Sequence, residues 1–553
     1  MQKEIQEIYK LIRLNKLEEA ENLVITHLKK NNSEYNFIYG LILVQKKDFL
    51  NAYKNFKISA DKTYSNYDSN FNCANCLQIL MRFEEAIKYY NRCILVDPNR
   101  HEPYLQIGIC YKKDKNYEES ITYLSKANTV NKHVENFLVL GNVLRETGKF
   151  SEAKNQFEKC LIFEKDNKYA QLSLINIEID EGKLDSAEKR LVIFLEDTKI
   201  DQKYINLAKL QLGKIHQSRG DYVNAIKLNK EILNNNPNDF DAAYNLSNCY
   251  LFTKNFGEAW VFHEKRFFCN SFALLKQNYN NIKKPQWDPT RPKKNILIWG
   301  EQGIGDQILY SQFVELIKDE FENMTLALNK KLIPFFGKIY PKLNYIDYKE
   351  INKFNNYDYH LPMGSLGLYF QKYVKKESFK QIRDYSEIEN LPKKIKKIRC
   401  GISWKSTNKL TNHKKSIELK KFNTLFNIED IEFVNLQYSD EKKEITNLES
   451  SLKKNIFIDH NVDLFSDIDG VASLINTCDF IISVSNSNVH IAGKLGKKVL
   501  LLLPHNDGKL WYWGLNDEED IIWYPSIYPI RQKKENDWDS CIVLLRKEIE
   551  KFL

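Results

Sequence analysis

The stretch "ILIWGEQGIGDQILY", from Ile296 to Tyr310, combines an apolar run, a glycine-rich turn and the start of an amphipathic segment. This order predicts a β-strand, a loop and an α-helix, which is the unit from which α/β nucleotide sites are built. The second half of the chain therefore belongs to the α/β class.

Asp306 stands where a phosphate-binding loop would end in Lys followed by Ser or Thr. A dinucleotide fingerprint that starts at Gly303 fails as well, because its last glycine would fall on Ile308. A carboxylate at this helix start would also repel a pyrophosphate. Asp306 is therefore either a helix cap or a general base that takes a proton from an acceptor hydroxyl, and Glu301 is the second candidate for that base.

Short apolar runs separated by helical segments continue to the end of the chain, as expected for parallel sheets covered on both faces. The expected strands are 295–300, 324–328, 398–404, 431–437, 455–459, 480–485 and 499–503, and the expected helices include 306–321, 468–478 and 488–496. The basic segment 391–399 divides this region in two. We expect two Rossmann-like lobes, 295–392 and 393–553, with ligands at the carboxyl ends of the strands.

The second lobe offers an anion site after the strand at 480–485. Ser485, Asn486 and Ser487 stand where the next helix begins, and their side chains and free backbone N–H groups suit a diphosphate. His490 lies one turn later on a largely apolar helix. It is either a structural histidine or a phosphate contact.

Two further strand ends carry polar side chains. Ser403 and Lys405 follow one strand, and Lys405 is either a counter-charge for a departing phosphate or one surface lysine among many. Gln437 ends another strand and could bind a ribose or a base edge. The segment "DIDG" at 467–470 resembles a metal motif but precedes a helix, so we predict a helix cap and no metal or other cofactor.

The first half of the chain is repetitive. A small residue recurs at intervals of 32, 34, 34, 33, 34, 38 and 34 residues, at Ala20, Ala52, Ala86, Ser120, Ala153, Ala187, Ala225 and Ala259. A second small residue often precedes it by twelve positions, as at Gly40, Gly108 and Gly141. The pattern resembles the tetratricopeptide repeat, a pair of antiparallel helices per unit. We expect an α superhelix of about eight units at 1–270, a linker at 271–294, and a protein partner bound by the repeats.

Composition restricts the class of protein. The net charge of +9 is small for 553 residues and is spread along the chain, which argues against nucleic-acid binding. The first residues are charged throughout, unlike a signal peptide, and no run of 18 apolar residues suggests a membrane span. Cys73 and Cys76 form a lone CxxC in a predicted helix, so buried thiols are expected. These features favour the cytoplasm.

Several segments together resemble glycosyltransferases of the ADP-heptose:lipopolysaccharide heptosyltransferase type, family 9. They are "WGEQGIGDQILYSQF", "YHLPMGSLGLYF", "GISWKSTNK", "FVNLQYSD", "DIDGVASLINTCDFIISVSNSNVHIAGKLGKKVLLLLP" and "WYPSIYPIRQ". The resemblance implies a GT-B fold, a nucleotide-sugar donor in the C-terminal lobe, and metal-independent transfer with inversion. It also implies that Asp306 is the base, with Gly303 and Gly305 on the acceptor side, and that 485–487 and His490 contact the donor. The family has Asp-Thr-Gly where this chain has Ser-Asn-Ser, which puts a heptose donor in doubt.

Three hypotheses follow. The first is a cytoplasmic glycosyltransferase whose repeats hold a protein acceptor, of which flagellin is one candidate. The second is a transferase acting on a lipid-linked glycan at the membrane face. The third is a repeat scaffold whose transferase domain is inactive.

Overall fold

The computed structural model describes residues 2–29, 32–269, 279, 282–301, 303–373, 397–406, 412–439, 444–447, 450, 456–505, 508–515 and 521–551. The chain divides into two compact units, Met1–Ile200 and Asp201–Leu553. The last helix pairs of the repetitive half thus group with the α/β half. The predicted boundary at 392 and much of the predicted linker 271–294 lie outside the described residues, and the domain limits stay predictions.

Sixteen α-helices occupy the described residues up to 263. They are α1 (Gln2–Arg13), α2 (Leu17–His27), α3 (Ser33–Gln45), α4 (Phe49–Lys62), α5 (Tyr67–Ile79), α6 (Phe83–Val96), α7 (Glu102–Lys113), α8 (Tyr117–Val130), α9 (Val134–Glu146), α10 (Phe150–Phe163), α11 (Lys168–Asp180), α12 (Leu184–Glu196), α13 (Gln202–Ser218), α14 (Tyr222–Asn235), α15 (Phe240–Phe252) and α16 (Phe256–His263). Many begin at an Asn or Asp whose side chain accepts a backbone N–H of the first turn, such as Asn66 and Asp221.

The spacing of small residues is explained by close helix contacts within each pair. A Cβ added to Gly40 would stand 2.7 Å from the ring of Phe56, and one added to Gly141 would stand 2.7 Å from the ring of Phe157. Phe56 and Phe157 therefore pack on the first helix of their own unit. Cys73 and Cys76 are buried in α5, as predicted.

Two parallel sheets follow the helical half. The first has the order β3-β2-β1-β4 and the second the order β6-β5-β7-β8-β9. The strands are β1 (Asn295–Trp299), β2 (Asn323–Leu328), β3 (Asn344–Asp347), β4 (Tyr359–Pro362), β5 (Ile398–Ser403), β6 (Ile431–Asn435), β7 (Phe480–Val484), β8 (Lys498–Leu503) and β9 (Ile527–Arg531). All pairings in both sheets are parallel, which confirms the α/β class of this half.

Helices connect these strands. They are α17 (Ile304–Ile317), α18 (Ile333–Ile339), α19 (Leu366–Phe370), α20 (Asn412–Lys415), α21 (Asn423–Phe426), α22 (Ile468–Asn476), α23 (Ser487–Lys494) and α24 (Trp538–Glu550). Short 3₁₀ turns lie at Glu264–Phe268, Lys330–Leu332, Tyr348–Glu350, Met363–Ser365, Gln371–Tyr373, Leu419–Phe422 and Trp511–Trp513. Among the described residues, no helix has both the length and the apolar character needed to cross a membrane.

Sequence patterns missed β3, β4 and β9. Each of these strands carries polar residues or proline, as in "NYID", "YHLP" and "IYPIR", so none forms a long apolar run. The predicted strand 455–459 was wrong in its described part, where Phe457 makes an isolated bridge with Val434.

One large hydrophobic core runs through the second compact unit. It joins Leu246 and Trp260 of the last helix pair to Ile298 of the first sheet and to Val489 of α23 beside the second sheet. A second core covers the other face of the second sheet and includes Leu545 of α24. The last helix pair, α17 and α23 are therefore packed into one structure, which fixes the surroundings of Asp306.

Candidate functional site

Asp306 is the third residue of α17, immediately after the glycine-rich turn. Its Oδ2 accepts a hydrogen bond of 3.2 Å from the backbone N–H of Gly303, so the side chain caps the start of the helix. The carboxylate is partly buried. A carboxylate that caps a helix can still accept a proton, so the cap does not by itself exclude a chemical role for Asp306.

Burial raises the pKa of Asp306 to about 6, although the backbone hydrogen bond from Gly303 lowers it. The negative charge of Glu301 adds to the rise, and the positive charge of Lys415 opposes it. A carboxyl group with a pKa near neutrality can hold a proton and release it under working conditions. This is the property that a general base needs.

The charge of Asp306 acts on four tyrosines. Burial, followed by the charge of Asp306, raises the pKa of Tyr310, Tyr512 and Tyr524 well above the ordinary value. The same two causes raise the pKa of Tyr244 to about 12. Tyr244 belongs to α15, Tyr310 to α17, and the other two to the second lobe. The charge of Asp306 therefore reaches tyrosines from three parts of the chain.

Gly305 brings the first lobe against His490. A Cβ added to Gly305 would stand 3.0 Å from Cδ2 and 3.3 Å from Nε2 of His490. A side chain at position 305 would therefore crowd the imidazole, which would have to shift by a few tenths of an ångström. The sequence placed Asp306 and His490 on opposite lobes, and the structure brings their turns into contact.

His490 is buried on α23, and its Nδ1 lies 3.1 Å from the hydroxyl of Tyr524. Burial lowers the pKa of this imidazole to about 3, so the ring is neutral near pH 7. Tyr512 and Trp513 pack on it, with ring centroids 5.2 and 4.9 Å away. A neutral histidine can donate or accept a hydrogen bond but contributes no charge to an anion.

The polar residues predicted at the carboxyl edge of the second sheet come together. Asn486 Nδ2 donates to Ser403 Oγ over 2.7 Å, and Asn486 Oδ1 accepts the backbone N–H of Asn488 over 3.1 Å. Gln437 Oε1 accepts the backbone N–H groups of Trp404 and Lys405 over 2.9 and 2.8 Å. In this structure Gln437 therefore holds the loop after β5.

The remaining predicted donor residues differ in accessibility. Ser485 is buried, and its Oγ accepts a hydrogen bond of 2.9 Å from Trp513 Nε1. Ser487 is only partly buried. Lys405 Nζ lies 2.7 Å from Glu444 Oε2, so its charge is shared with a carboxylate. Of this group, Ser487 is the one whose side chain is accessible at the start of α23.

Glu301 is held in an ion pair. Arg266 Nε donates to Glu301 Oε2 over 2.6 Å, and Arg266 Nη2 donates to Glu301 Oε1 over 2.7 Å. Glu301 Oε1 also accepts the backbone N–H of Gly364 over 2.7 Å. A carboxylate whose two oxygens are engaged by a guanidinium is poorly suited to accept a proton, so Asp306 is the better candidate for the base.

Lys415 is a charged residue near the site that sequence patterns did not reveal. It is buried at the end of α20, and its charge lowers the pKa of Asp306. Sequence patterns could not single out Lys415, because it stands in the lysine-rich segment "NHKKS". Its position beside Asp306 depends on the packing of the two lobes.

The D-x-D segment forms a helix cap, as predicted. Asp467 Oδ1 accepts the backbone N–H of Gly470 over 2.9 Å, and Asp469 forms an ion pair of 2.8 Å with Lys338 of α18. Across the ranges that the structure describes, no three His, Cys, Asp and Glu side chains are grouped so that they could hold a metal ion.

Comparison with known families supports the reading of the helical half. The tetratricopeptide repeat family matches residues 67–100 and 134–166. This chain carries tetratricopeptide repeats. A second family, described as the Est1 DNA/RNA binding domain, matches residues 86–136, which lie within α6 to α9 of the same array.

Two curated relatives are similar to this chain. Protein FlbA of Caulobacter vibrioides is 24% identical over 311 residues, which are 51% of this chain and 50% of FlbA. The UDP-N-acetylglucosamine–peptide N-acetylglucosaminyltransferase of Giardia intestinalis is 24% identical over 221 residues, which are 38% of this chain and 13% of that protein. The chain thus spans half of the first relative and a small part of the second.

Solved structures are also similar to part of the chain. The crystal structure of a tetratricopeptide repeat protein from Parabacteroides merdae covers 44% of this chain and 96% of its own length, at 16% identity and a TM-score of 0.38. YrrB, described as a tetratricopeptide repeat protein with an unusual peptide-binding site, covers 34% of this chain and 95% of its own length, at 18% identity and a TM-score of 0.27.

Proposed function

We propose that this protein is a glycosyltransferase that moves a sugar from a nucleotide-sugar to a hydroxyl group of a protein held by the repeats. The observation that carries the proposal is the contact between the Asp306 turn and the His490 helix, where Gly305 lies against the imidazole. A carboxylate with a pKa raised to about 6 thereby stands next to the predicted donor site. Two parallel sheets that meet in this way fit a GT-B arrangement.

In the proposed reaction, Asp306 accepts the proton of the acceptor hydroxyl as its oxygen attacks the anomeric carbon of the donor. The bond between that carbon and the phosphate oxygen breaks, and the nucleoside diphosphate leaves with the bonding electron pair. A single displacement of this kind inverts the anomeric carbon. The N-terminus of α23, with Ser487 at its first position, would receive the negative charge that develops on the phosphate.

Lys405 and Lys415 are the positive charges proposed to stabilise the leaving diphosphate. Lys405 stands near the start of the loop that Gln437 holds, two residues after β5, and Lys415 stands close enough to lower the pKa of Asp306. His490 would donate or accept one hydrogen bond as a neutral ring. In this proposal the two lysines supply positive charge to the leaving group without a metal ion.

The repeats are proposed to bind the acceptor. Tetratricopeptide arrays present extended surfaces to other proteins. Tyr244 of the last helix pair also supports this role, because the charge of Asp306 raises the pKa of its hydroxyl. The Giardia relative is named for transfer of N-acetylglucosamine to a peptide, which agrees with a protein acceptor. Flagellin is one candidate acceptor.

The proposal is tested by incubating the full chain with UDP-N-acetylglucosamine, ADP-heptose and other nucleotide-sugars and measuring release of the nucleoside diphosphate. Hydrolysis or transfer of at least one donor is expected, and Asp306→Asn should abolish most of it. Absence of both binding and turnover with every donor would overturn the proposal and favour an inactive scaffold. A chain that lacks the compact unit 1–200 should keep donor hydrolysis and lose transfer to protein.

A further inference from the structure

Arg266 lies in the 3₁₀ turn Glu264–Phe268, directly after the last helix pair, and its side chain is 0% exposed. A guanidinium has five N–H donors. Here its nitrogens meet Glu301 Oε2 at 2.6 Å, Glu301 Oε1 at 2.7 Å, Ser365 Oγ at 2.9 Å, Glu264 Oε1 at 2.8 Å and the backbone oxygen of His263 at 3.0 Å. All five N–H donors of the Arg266 guanidinium are therefore engaged in hydrogen bonds.

These contacts join three segments that are distant in the sequence. Glu301 follows β1, Ser365 and Gly364 follow β4, and Arg266 follows α16. Ser365 Oγ donates to Glu264 Oε1 over 2.7 Å, which closes the network on the helical side. A Cβ added to Gly364 would stand 2.7 Å from Glu301 Oε1, so the close packing depends on that glycine.

The network also has an electrostatic link to Asp306. Arg266 is paired with the two carboxylates of Glu264 and Glu301, so the three side chains carry a formal charge of one minus. Glu301 stands five residues before Asp306 at the start of the same turn. Burying an ion pair costs desolvation energy, so the Arg266–Glu301 pair is weak evidence of stabilisation. The pair does, however, hold its two side chains in one defined arrangement.

We propose that Arg266 is a positioning residue that, through Glu301, holds the turn carrying Asp306 in register with the last helix pair of the repeats. The last helix pair, on the acceptor side, and the proposed base Asp306 are then held rigidly together. A protein segment that reaches the end of the array would meet the carboxylate at a fixed place. This inference rests on the proposed function. It assigns a role in the reaction to Arg266, which contacts neither the substrate nor the reacting atoms.

The test compares Arg266→Lys, Glu301→Gln and the double variant Arg266→Met/Glu301→Gln. Lysine cannot form the two-point contact with Glu301, and the double variant removes both members of the buried Arg266–Glu301 pair, so that only the partly exposed carboxylate of Glu264 loses its partner. Each variant is assayed for kcat and KM with the nucleotide-sugar that the wild-type protein turns over, from pH 4.5 to 9. Melting temperature and circular dichroism confirm that each variant is folded.

Arg266→Lys is expected to lower kcat about 10- to 100-fold and to leave KM for the donor unchanged, because a small displacement of a reacting group costs that much. Glu301→Gln should also move the acid limb of the profile to lower pH, because it removes a negative charge near Asp306. The charged and titratable groups around Asp306 are Tyr244, Glu301, Tyr310, Lys415, Tyr512, Tyr524 and, beside Gly305, His490. Because burial raises the pKa of the four tyrosines and lowers that of His490 to about 3, these five groups stay neutral over this pH range.

Glu432→Gln is the matched control. Arg399 Nε and Glu432 Oε2 form an ion pair of 2.6 Å at the start of β5 and β6, away from the carboxyl edge of the second sheet. This variant should keep kcat and the pH profile of the wild-type protein.

Folded Arg266 and Glu301 variants with wild-type kcat and an unmoved acid limb would overturn the positioning role, even if their melting temperatures fell. A wild-type protein without turnover of any donor would instead overturn the proposed function. The two failures are therefore distinguishable.

Discussion

Gly305 of α17 and His490 of α23 lie in contact, so that a Cβ added to the glycine would stand 3.0 Å from the imidazole. The contact depends on the absence of a side chain at position 305. It places the start of α17, with Asp306, beside the start of α23. The proposed base and the proposed donor site are neighbours for this reason.

Gly305→Ala is expected to displace His490 or the turn and to lower turnover about 10- to 100-fold, because reacting groups tolerate little misplacement. The measurement is kcat with the donor identified for the wild-type protein. Gly337→Ala in α18 is the control, because a Cβ at that position has no neighbour within 4 Å. Equal rates for Gly305→Ala and wild type would show that the contact is not needed.

Asp306→Asn is expected to lower kcat about 10²- to 10⁴-fold, which is the usual contribution of a general base. Since the pKa of Asp306 is raised to about 6, the wild-type rate should fall as pH decreases through about 6, where the carboxylate takes up its proton. The pH–rate profile checks this. Asp539→Asn, at an exposed ion pair with Lys421, should leave the rate unchanged. A wild-type profile without an acid limb near 6 would exclude this carboxylate as the base.

Gln437→Leu is expected to reduce the free energy of unfolding by about 1–3 kcal/mol, because the backbone N–H groups of Trp404 and Lys405 lose their buried acceptor. Gln437→Glu keeps an acceptor oxygen and should cost less. Urea unfolding of the two variants measures the difference. If both variants unfold like the wild type but bind donor poorly, Gln437 would contact the donor as the sequence first suggested.

Lys494→Met should alter the dependence of stability on pH. Burial lowers the pKa of Lys494 to about 7 from 10.5, while its Nζ donates to Gln312 Oε1 over 2.8 Å. Between pH 7 and 10.5 the unfolded chain holds this proton and the folded chain releases it, so the wild-type protein gains stability as pH rises. Below about 7 both states are protonated and the gain is absent.

The measurement for Lys494 is the difference in unfolding free energy between the wild type and Lys494→Met at pH 7 and at pH 9.5. The difference should shift in favour of the wild type at the higher pH. Lys421→Met, at an exposed ion pair, should show no such shift. A constant difference over this range would mean that Lys494 stays charged in the folded protein.

The positions that the sequence predicted well are those set by local periodicity. The recurring small residues from Ala20 to Ala259 indicate helix pairs, because only small side chains fit where two helices cross closely. Apolar runs such as "VLLLL" indicate buried parallel strands. Strands with polar residues, such as β3 and β4, gave no comparable pattern and were missed.

The polar residues of the predicted site lie at strand ends, but sequence patterns did not predict the hydrogen bonds among them. Sequence patterns could place Ser403, Gln437 and Asn486 at one edge of a sheet. They could not show that Gln437 binds the loop after β5 or that Asn486 binds Ser403, because these contacts join residues that are 32 to 83 positions apart.

The sequence by itself determined the helical repeats, the α/β class of the second half and a carboxylate at the start of α17. Only the tertiary structure decided which charges surround that carboxylate. Arg266 and Lys415 are ordinary charged residues in the sequence, and packing alone brings Arg266 to Glu301 and brings Lys415 close enough to lower the pKa of Asp306. The physical reason is that periodicity reports on contacts within a few residues, whereas burial and electrostatic fields depend on residues brought together from distant parts of the chain.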